Sequence, residues 1–265
     1  MEYKNAIVHP NAKIGKNVII SPFAVIEEHV EIGDNCWIGP GASIKNYVKI
    51  GNNCKIFDYA VIGGLPQDLK FKGEESWVEI GNNVMIREFC TVSRGTAASG
   101  KNVTKIGNDT FLMAYVHVAH DCRIGNHVIL VSYCGLAGET DVDDWAIIGG
   151  TSAVHQFTHI GTHVMVAGGS KIKRDIPPYC LAGKQPVVFG GINRVGLKRR
   201  GFTDEQLNRI WDVYRIIYQS GLNPTQACKK AEEELPESEE KRTILDFFEN
   251  STRGVIRFGK GGYED

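Results

Sequence analysis

An aliphatic residue recurs at every sixth position over long stretches of the chain. All nine positions of this kind from Ile14 to Ile62 are isoleucine, and each has a small apolar residue two places before it. The same step of six runs from Ile80 to Val92 and again from Ile106 to Ile172. A helix repeats every 3.6 residues and a strand every 2, so a period of six fits neither. It is typical of a solenoid in which each hexapeptide forms a short strand and a turn.

The hexapeptides also indicate where the solenoid turns and where it is interrupted. Glycine often follows the aliphatic anchor, as at Gly15 and Gly33, where a tight turn would favour it. The pattern resembles the hexapeptide-repeat family, which implies a left-handed parallel β-helix with three hexapeptides per triangular coil. The 24 hexapeptides then make about eight coils. Two polar, irregular segments, 64–77 and 93–103, are predicted to be loops that leave the solenoid, and such loops often carry function.

Beyond about residue 185 the spacing of apolar residues becomes helical. Thr203 and Gln206 form a capping-box pattern before one helix, Pro224 fits the start of a second, and apolar residues in 244–248 predict a third. We therefore predict a mainly β chain of two domains. These are a parallel β-helix domain over 1–185 and a small C-terminal α-helical domain over 186–265, whose tail, 259–265, is predicted to be disordered.

Composition narrows the functional class. A net charge of -1 over 265 residues gives no reason to expect a nucleic-acid partner. No run of apolar residues is long enough for a transmembrane segment, and the N-terminus lacks the pattern of a secretion signal. Seven cysteines without a CxxC pair are typical of buried thiols in a reducing compartment, so we predict a cytoplasmic protein.

If one coil is 18 residues long, residues 18 apart are stacked about 4.8 Å from one another. His120, Gly138 and Gln156 then form one column. An imidazole is a suitable general base near neutral pH, and a glycine one coil away exposes its N–H as an oxyanion donor, which together are the minimum for acyl transfer. Asp121 could orient the imidazole. Exposed strand positions that simply hold polar residues are the alternative interpretation.

A second column contains His117, Gly135, Ala153 and Lys171. It brings no further histidine beside His117 and His120, whereas zinc needs three convergent ligands. His155, His159 and His163 are spaced by four, which is not a constant phase of the repeat, so they are expected to point in different directions, and His127, His159 and His163 are interpreted as solvated turn residues. The sequence therefore predicts no metal site, although a zinc enzyme like the γ-class carbonic anhydrases is kept as an alternative.

Longer motifs give a more specific resemblance, over nearly the whole chain. They are PQDLKF (66–71), IRE (86–88), HVAHDC (117–122), LAG (136–138), AIIGG (146–150), AVHQF (153–157), DIPPY (175–179), GLKRRGF (196–202) and STRG (251–254). The chain resembles the UDP-N-acetylglucosamine O-acyltransferases. The resemblance implies transfer of an (R)-3-hydroxyacyl group from acyl carrier protein to the 3-hydroxyl of the nucleotide sugar, the first step of lipid A biosynthesis. It also implies a homotrimer with sites between subunits, and no metal or other cofactor.

Carried over position by position, the resemblance makes His120 the general base, Asp121 its partner and the Gly138 N–H the oxyanion donor. The expected substrate-binding residues are Asp68, Lys70, His117, Glu139, His155, Gln156, Asn193 and Arg199. Lys173, Arg174 and the basic run 198–200 could meet the acidic carrier protein. Lys171 stands where the family often has glycine, so it is expected to limit the length of the acyl chain.

Two departures from the family affect the expected acceptor. Glu139 replaces a usual histidine, and Val195 replaces a frequent glutamate. Both leave open a 3-amino variant of the nucleotide sugar as the acceptor. Two further alternatives are an N-acyltransferase of the same pathway, which has an extra N-terminal domain, and a purely structural solenoid.

Overall fold

The computed structural model describes residues 4–259 and contains a left-handed parallel β-helix followed by helices. Its strands β1–β26 form the three sides of the solenoid, and β27 pairs antiparallel with β26. The first sheet contains β1 Ile7–Val8, β4 Val25–Ile26, β7 Ser43–Ile44, β10 Val61–Gly64, β13 Thr91–Ser93, β16 His117–Val118, β19 Gly135–Leu136, β22 Ala153–Val154 and β25 Lys171–Ile172. The second contains β2 Lys13–Ile14, β5 Val30–Ile32, β8 Val48–Ile50, β11 Trp77–Ile80, β14 Val103–Ile106, β17 Arg123–Ile124, β20 Asp141–Val142 and β23 His159–Ile160. The third contains β3 Ile19–Ile20, β6 Trp37–Ile38, β9 Lys55–Ile56, β12 Met85–Ile86, β15 Phe111–Leu112, β18 Ile129–Leu130, β21 Ile147–Ile148, β24 Met165–Val166, β26 Cys180–Gly183 and β27 Val188–Ile192.

Each aliphatic anchor lies in a short strand, usually as its last residue, and points into the core. Ile38, Ile56 and Leu112, for example, are fully buried. The small residues two places earlier, such as Ala42 and Ala60, are buried beside them. All 24 hexapeptides found in the sequence form strands, and the structure adds β1 before them and β26 after them. The period of six is therefore explained by one inward side chain for each strand and its corner.

The prediction that glycine follows the anchor for conformational reasons is wrong at most positions. The left-handed backbone lies two residues further on, at residues such as Asn35 (φ 58°) and Tyr115 (φ 63°). Gly15 and Gly33 are needed for close approach instead, because an added Cβ would lie 2.6 Å from the Gly33 carbonyl carbon at Gly15 and 2.7 Å from the Gly51 carbonyl carbon at Gly33. An Asn ladder along one corner satisfies the backbone there, with the Asn52 N–H donating to Asn82 Oδ1 at 2.8 Å.

Both long loops leave the solenoid at one corner, between the first and second sheets. The first loop connects β10 to β11. The second loop connects β13 to β14 and contains a short 3₁₀ turn at Ala97–Ser99. The predicted end residues of the loops, 64, 77, 93 and 103, belong to strands. The next turn at this corner follows β16 and contains His120 and Asp121. Three successive coils thus bring both loops to the same place as the candidate base.

In the described part of the chain, four helices follow β27: α1 Arg194–Arg199, α2 Asp204–Gln219, α3 Pro224–Glu234 and α4 Glu239–Asn250. The capping box at Thr203 and Gln206 and the start of α3 at Pro224 confirm the predictions for those helices. Helix α1 was not predicted, since six residues are too few to show helical periodicity. Most of the tail predicted to be disordered lies outside the described residues. Within 4–259, no helix is long and apolar enough to cross a membrane.

A buried carboxylate joins the helical part to the last coil. Asp175 is 1% exposed, accepts from the Ser251 hydroxyl at 2.6 Å and also accepts the His159 backbone N–H at 2.8 Å. Phe247 of α4 packs on the His159 ring. These contacts involve two of the quoted sequence motifs, 175–179 and 251–254, so both motifs have a structural role.

Candidate active site

His120 lies between two carboxylates at the corner where the loops leave. Its Nδ1 is 2.9 Å from Asp121 Oδ2, and its Nε2 is 3.7 Å from Asp68 Oδ2. The imidazole is only 9% exposed, so little solvent competes for these partners. One nitrogen is thus held by Asp121, while the other faces a side chain of the first loop.

Asp121 is completely buried and is held by the second loop. The Thr96 N–H lies 3.0 Å from both of its carboxylate oxygens, and the Thr96 hydroxyl donates to Oδ2 at 2.8 Å. The Asp121 N–H donates to the Thr104 hydroxyl at 2.8 Å. The two Thr96 donors satisfy the Asp121 carboxylate, which would otherwise be costly to remove from water.

Gly138 lies directly against the His120 ring, one coil further along. A Cβ at residue 138 would be 2.5 Å from His120 Cε1. The coils are joined here by the Glu139 N–H, which donates to the His120 carbonyl at 2.9 Å. The Gly138 N–H makes no hydrogen bond to any residue within 4–259, whereas the equivalent N–H groups of the Asn corner are bonded to side chains. It is therefore a free donor beside the imidazole.

Asp68 is fixed by its own loop, and its neighbour Lys70 lies in the same turn. The Lys70 N–H donates to Asp68 Oδ1 at 2.9 Å, which leaves Oδ2 directed at His120. Leu69, between them, is fully exposed. The loop therefore presents one carboxylate to the candidate base and an apolar side chain to the outside.

A buried arginine links the two loops. The Arg94 guanidinium carbon lies 5.0 Å from the Tyr47 ring centre and 5.7 Å from that of Phe71, and the side chain makes no ion pair within the described residues. Burial lowers its pKa. The loops are also joined where the Ala97 N–H donates to Glu74 Oε1 at 2.9 Å. Phe71 and the Asp68 turn are thereby attached to the loop that holds Asp121.

Glu139 lies beside this cluster, one residue after Gly138. Burial and the negative charge of Asp121 raise its pKa, although the positive charge of Lys101 opposes this. Lys101 also forms an ion pair with Asp141 at 3.2 Å. The residue that departs from the family pattern therefore contributes a carboxyl group to the candidate site.

The second predicted column is present in the first sheet. His117 pairs with Gly135, Gly135 with Ala153, and Ala153 with Lys171. Nothing lies within 4 Å of a Cβ added at Gly135, so the column has an open groove there. Lys171 is exposed at its far end.

His117, at the start of that column, and His155, at the nearby corner, differ in how far they are buried. Burial lowers the pKa of His117, whose Nδ1 is 2.7 Å from the Thr91 hydroxyl. His155 is exposed at the same corner as His120, two coils further on, with Nδ1 3.1 Å from the Gln156 carbonyl. Both therefore remain accessible along the edge that starts at His120.

Asn193 and Arg199 lie at another corner of the prism. Asn193 is buried, caps α1 by accepting the Gly196 N–H, and donates to the His163 carbonyl at 3.0 Å. Arg199 is exposed at the end of α1. Within a single chain, the structure does not bring these two residues together with His120.

His127 and His163 lie in turns, as predicted, but they are not freely solvated, and His159 lies in β23. All three are half-buried, and His127 and His163 stack on opposite sides of Trp145. Burial and the Arg200 guanidinium lower the pKa of His163 to about 4. His127 and His163 are two coils apart and share a column of stacked rings with Trp145, whereas His159 belongs to a strand.

Thr96, Thr104 and Arg94 carry no recognisable signal in the sequence. The second loop was expected to carry function, yet nothing local in SRGTAASGKNV distinguishes a residue that contacts Asp121, 25 positions later. Within 4–259 no three His, Cys, Asp or Glu side chains are grouped so that they could hold a metal ion.

Comparisons with known proteins agree with this architecture. The bacterial transferase hexapeptide model matches residues 29–64 and 104–138, and a model described as UDP N-acetylglucosamine O-acyltransferase, domain 2, matches 175–256. An acyl-[acyl-carrier-protein]–UDP-N-acetylglucosamine O-acyltransferase of Thiobacillus denitrificans is 48% identical, covering 96% of this chain and 98% of its own.

Solved structures resemble this chain as closely as the relatives found by sequence do. A UDP-N-acetylglucosamine acyltransferase from Bacteroides fragilis is 50% identical, with a TM-score of 0.94 over 97% of this chain and 100% of that one. The Francisella novicida enzyme is 40% identical, also with a TM-score of 0.94, over 97% and 94% of the two chains. With identity of this level over nearly its whole length, the chain belongs to the acyl-[acyl-carrier-protein]–UDP-N-acetylglucosamine O-acyltransferase family.

Proposed function

We propose that this enzyme transfers an (R)-3-hydroxyacyl group from acyl carrier protein to the 3-hydroxyl of UDP-N-acetylglucosamine, in the cytoplasm, as the first step of lipid A biosynthesis. The observation that carries the mechanism is the position of His120, with Asp121 on Nδ1 and the free N–H of Gly138 one coil away. Residues 1–185 form the acyltransferase domain in this proposal, and 186–265 form the accessory helical domain.

His120 Nε2 removes the proton from the sugar hydroxyl as its oxygen attacks the thioester carbonyl carbon. The carboxylate of Asp121 keeps the other nitrogen protonated and stabilises the imidazolium that forms. The tetrahedral intermediate then collapses with cleavage of the C–S bond. The imidazolium returns its proton to the departing thiolate of the carrier protein, so His120 ends as it began and no metal or cofactor is consumed.

The Gly138 N–H stabilises the negative charge that develops on the carbonyl oxygen. A backbone donor is effective in this role because it is already oriented and needs no reorganisation. The absence of a side chain at residue 138 is what allows the imidazole and the intermediate to lie this close to the backbone. His120 therefore acts on the attacking hydroxyl group, and the Gly138 N–H acts on the carbonyl oxygen.

The acceptor sugar is bound along the same edge. Asp68 and Lys70 contact the sugar from the first loop, with Glu139, His117, His155 and Gln156 lining the cleft. Asn193 and Arg199 lie at a different corner, so they reach the nucleotide from a second copy of the chain, where the guanidinium suits a phosphate. Exposed Lys173 and Arg174 are suited to the acidic carrier protein.

This arrangement requires an oligomer, and we propose a homotrimer. Its support is the outward column of the third sheet, which is apolar over successive coils. From Met85 onwards this column contains Met85, Phe111, Ile129, Ile147 and Met165 on successive coils, all half-buried in the single chain, and Lys55 separates them from Trp37. Sedimentation equilibrium is expected to give three times 29.3 kDa, and a fully active monomer would exclude a shared cleft.

One assay tests the activity. The purified enzyme is incubated with (R)-3-hydroxyacyl thioesters of acyl carrier protein and UDP-N-acetylglucosamine, and products are identified by mass spectrometry. A 3-O-acylated nucleotide sugar is expected, and its formation is expected to survive exhaustive chelation of metals. Acylation confined to a 3-amino analogue would change the acceptor, and loss of activity on removal of stoichiometric zinc would favour the carbonic-anhydrase-like alternative.

A further inference from the structure

The second loop contacts Asp121, the partner of the candidate base, and Thr96 makes the hydrogen bonds from this loop to the Asp121 carboxylate. Thr96 is 1% exposed and places two donors, its N–H and its hydroxyl, on a carboxylate that is itself inaccessible to solvent. Asp121 Oδ2 accepts from the hydroxyl at 2.8 Å and lies 2.9 Å from His120 Nδ1. The three groups form a continuous hydrogen-bonded chain from the loop to the imidazole.

We propose that Thr96 is a positioning residue for the reaction, acting on His120 through Asp121. This inference rests on the proposed function of His120. The Thr96 hydroxyl fixes the direction in which Oδ2 faces and takes part of its negative charge. Both effects set how strongly Asp121 holds the Nδ1 proton, and therefore how well Nε2 is aimed and how readily it accepts a proton.

The alternative is that Thr96 merely stabilises the loop, and local geometry argues against it. Thr96 is the residue before the 3₁₀ turn at Ala97–Ser99, but its hydroxyl makes no cap hydrogen bond to that turn. The bond goes to Asp121 instead. A Cβ at the preceding Gly95 would lie 2.7 Å from Asp121 Oδ1, so the loop backbone is also pressed against this carboxylate.

Valine is a suitable replacement for threonine here because it removes only the hydroxyl. Thr96 has extended backbone angles (φ −130°, ψ 149°), which β-branched residues favour, so Thr96→Val is expected to fold. Thr96→Ser keeps the donor and loses a methyl group. Thr110→Val is a matched control, since Thr110 is equally buried and its hydroxyl donates to the Gly125 carbonyl at 2.9 Å, in another corner.

Two readouts separate positioning from stability. In Thr96→Val, kcat is expected to fall about tenfold with KM for the nucleotide sugar nearly unchanged, as one hydrogen bond to a charged group is lost. Thr96→Ser is expected to recover most of this loss, and Thr110→Val to show none of it. In addition, the far-downfield ¹H resonance of His120 Nδ1–H, assigned by its disappearance in His120→Ala, is expected to move in Thr96→Val alone.

The proposal is overturned if Thr96→Val and Thr110→Val have the same kcat, or if the Nδ1–H resonance is unchanged in Thr96→Val. The NMR measurement does not depend on turnover. If His120→Ala keeps normal activity while Thr96→Val still moves the resonance, the proposed function of His120 fails and the hydrogen-bonded chain from Thr96 stands.

Discussion

The imidazole of His120 lies against the backbone of Gly138, so closely that residue 138 has no room for a side chain. A Cβ there would be 2.5 Å from Cε1, which is far inside van der Waals contact. The relationship joins two residues that are 18 apart in sequence and one coil apart in space. It explains the glycine at this position without reference to its backbone flexibility, since Gly138 does not have a positive φ.

Gly138→Ala is expected to displace the His120 ring and reduce kcat by about 10²-fold or more, because a misplaced base or a blocked oxyanion donor removes transition-state stabilisation. Gly64→Ala is the matched control, because an added Cβ there meets only the Val92 carbonyl oxygen, at 4.0 Å. Steady-state kinetics with a long-chain thioester compare the two. Equal activities would show that contact with the ring has no catalytic consequence.

His120→Ala is expected to lower kcat by about 10²- to 10⁴-fold while the thermal midpoint changes little, because the side chain faces the corner and not the aliphatic core. His9→Ala, in the first coil, provides the control. Turnover and thermal melting measured on the same samples test both halves of the statement. Near-normal turnover in His120→Ala would mean that another group acts as the base.

Lys171→Gly is expected to extend the acyl chain that the enzyme accepts. Lys171 is three coils from His117, so about 14 Å away at the usual strand spacing, and the groove over Gly135 and Ala153 leads towards it. Its ammonium group is costly to bury against a chain end. Rates with thioesters of increasing length, compared between wild type, Lys171→Gly and the exposed-lysine control Lys13→Gly, measure the effect. An unchanged length preference would show that Lys171 extends into solvent and leaves the groove open.

Arg94→Met is expected to raise KM for the nucleotide sugar about tenfold, because the cation between Tyr47 and Phe71 no longer fixes the loop that carries Asp68. The chain offers a comparable cation–π pair elsewhere: Arg87 lies 4.7 Å from the Phe57 ring centre. Arg87→Met should leave KM unchanged. If both variants behave alike, or if Arg94→Met lowers kcat alone, the loop is held by its other contacts.

Glu240 is expected to stabilise the helical domain at neutral pH and to lose this effect in acid. Burial opposes its ionisation, but hydrogen bonds from Arg209 and Gln206 lower the pKa of Glu240 to about 2. A carboxyl group whose folded pKa is depressed contributes fully above its unfolded pKa, and the contribution disappears as the pH falls through the folded value.

Glu240→Gln should therefore cost about 2 kcal/mol of unfolding free energy at pH 7, after allowance for the half-exposed Arg209, and much less near pH 2. Urea unfolding at several pH values measures this. Glu239→Gln is the control, because Glu239 occupies the same first turn of α4 but is exposed. A cost for Glu240→Gln that does not vary with pH would contradict the role of this ion pair.

The sequence by itself determined the solenoid and the stacking of its columns. One inward aliphatic side chain per hexapeptide leaves a strict period, so the coils could be counted, and the pairing of His117 with Gly135 and of Ala153 with Lys171 followed from the 18-residue step. The starts of α2, at the Thr203 cap, and of α3, at Pro224, were equally predictable, because helix-start signals depend on residues within the first turn. The position of His120 beside Gly138 came from the same regularity.

Tertiary structure alone decided which side chains from outside the repeat reach that column. Asp68, Thr96 and Arg94 belong to loops without periodicity, so their contacts with His120, Asp121 and Phe71 depend on how the two loops fold against each other. The reason for glycine after the anchors was also hidden, because close approach involves a residue a whole coil away, as between Gly15 and Gly33. Period and capping are local properties of a chain, whereas packing of loops and coils is a property of the surfaces that folding brings together.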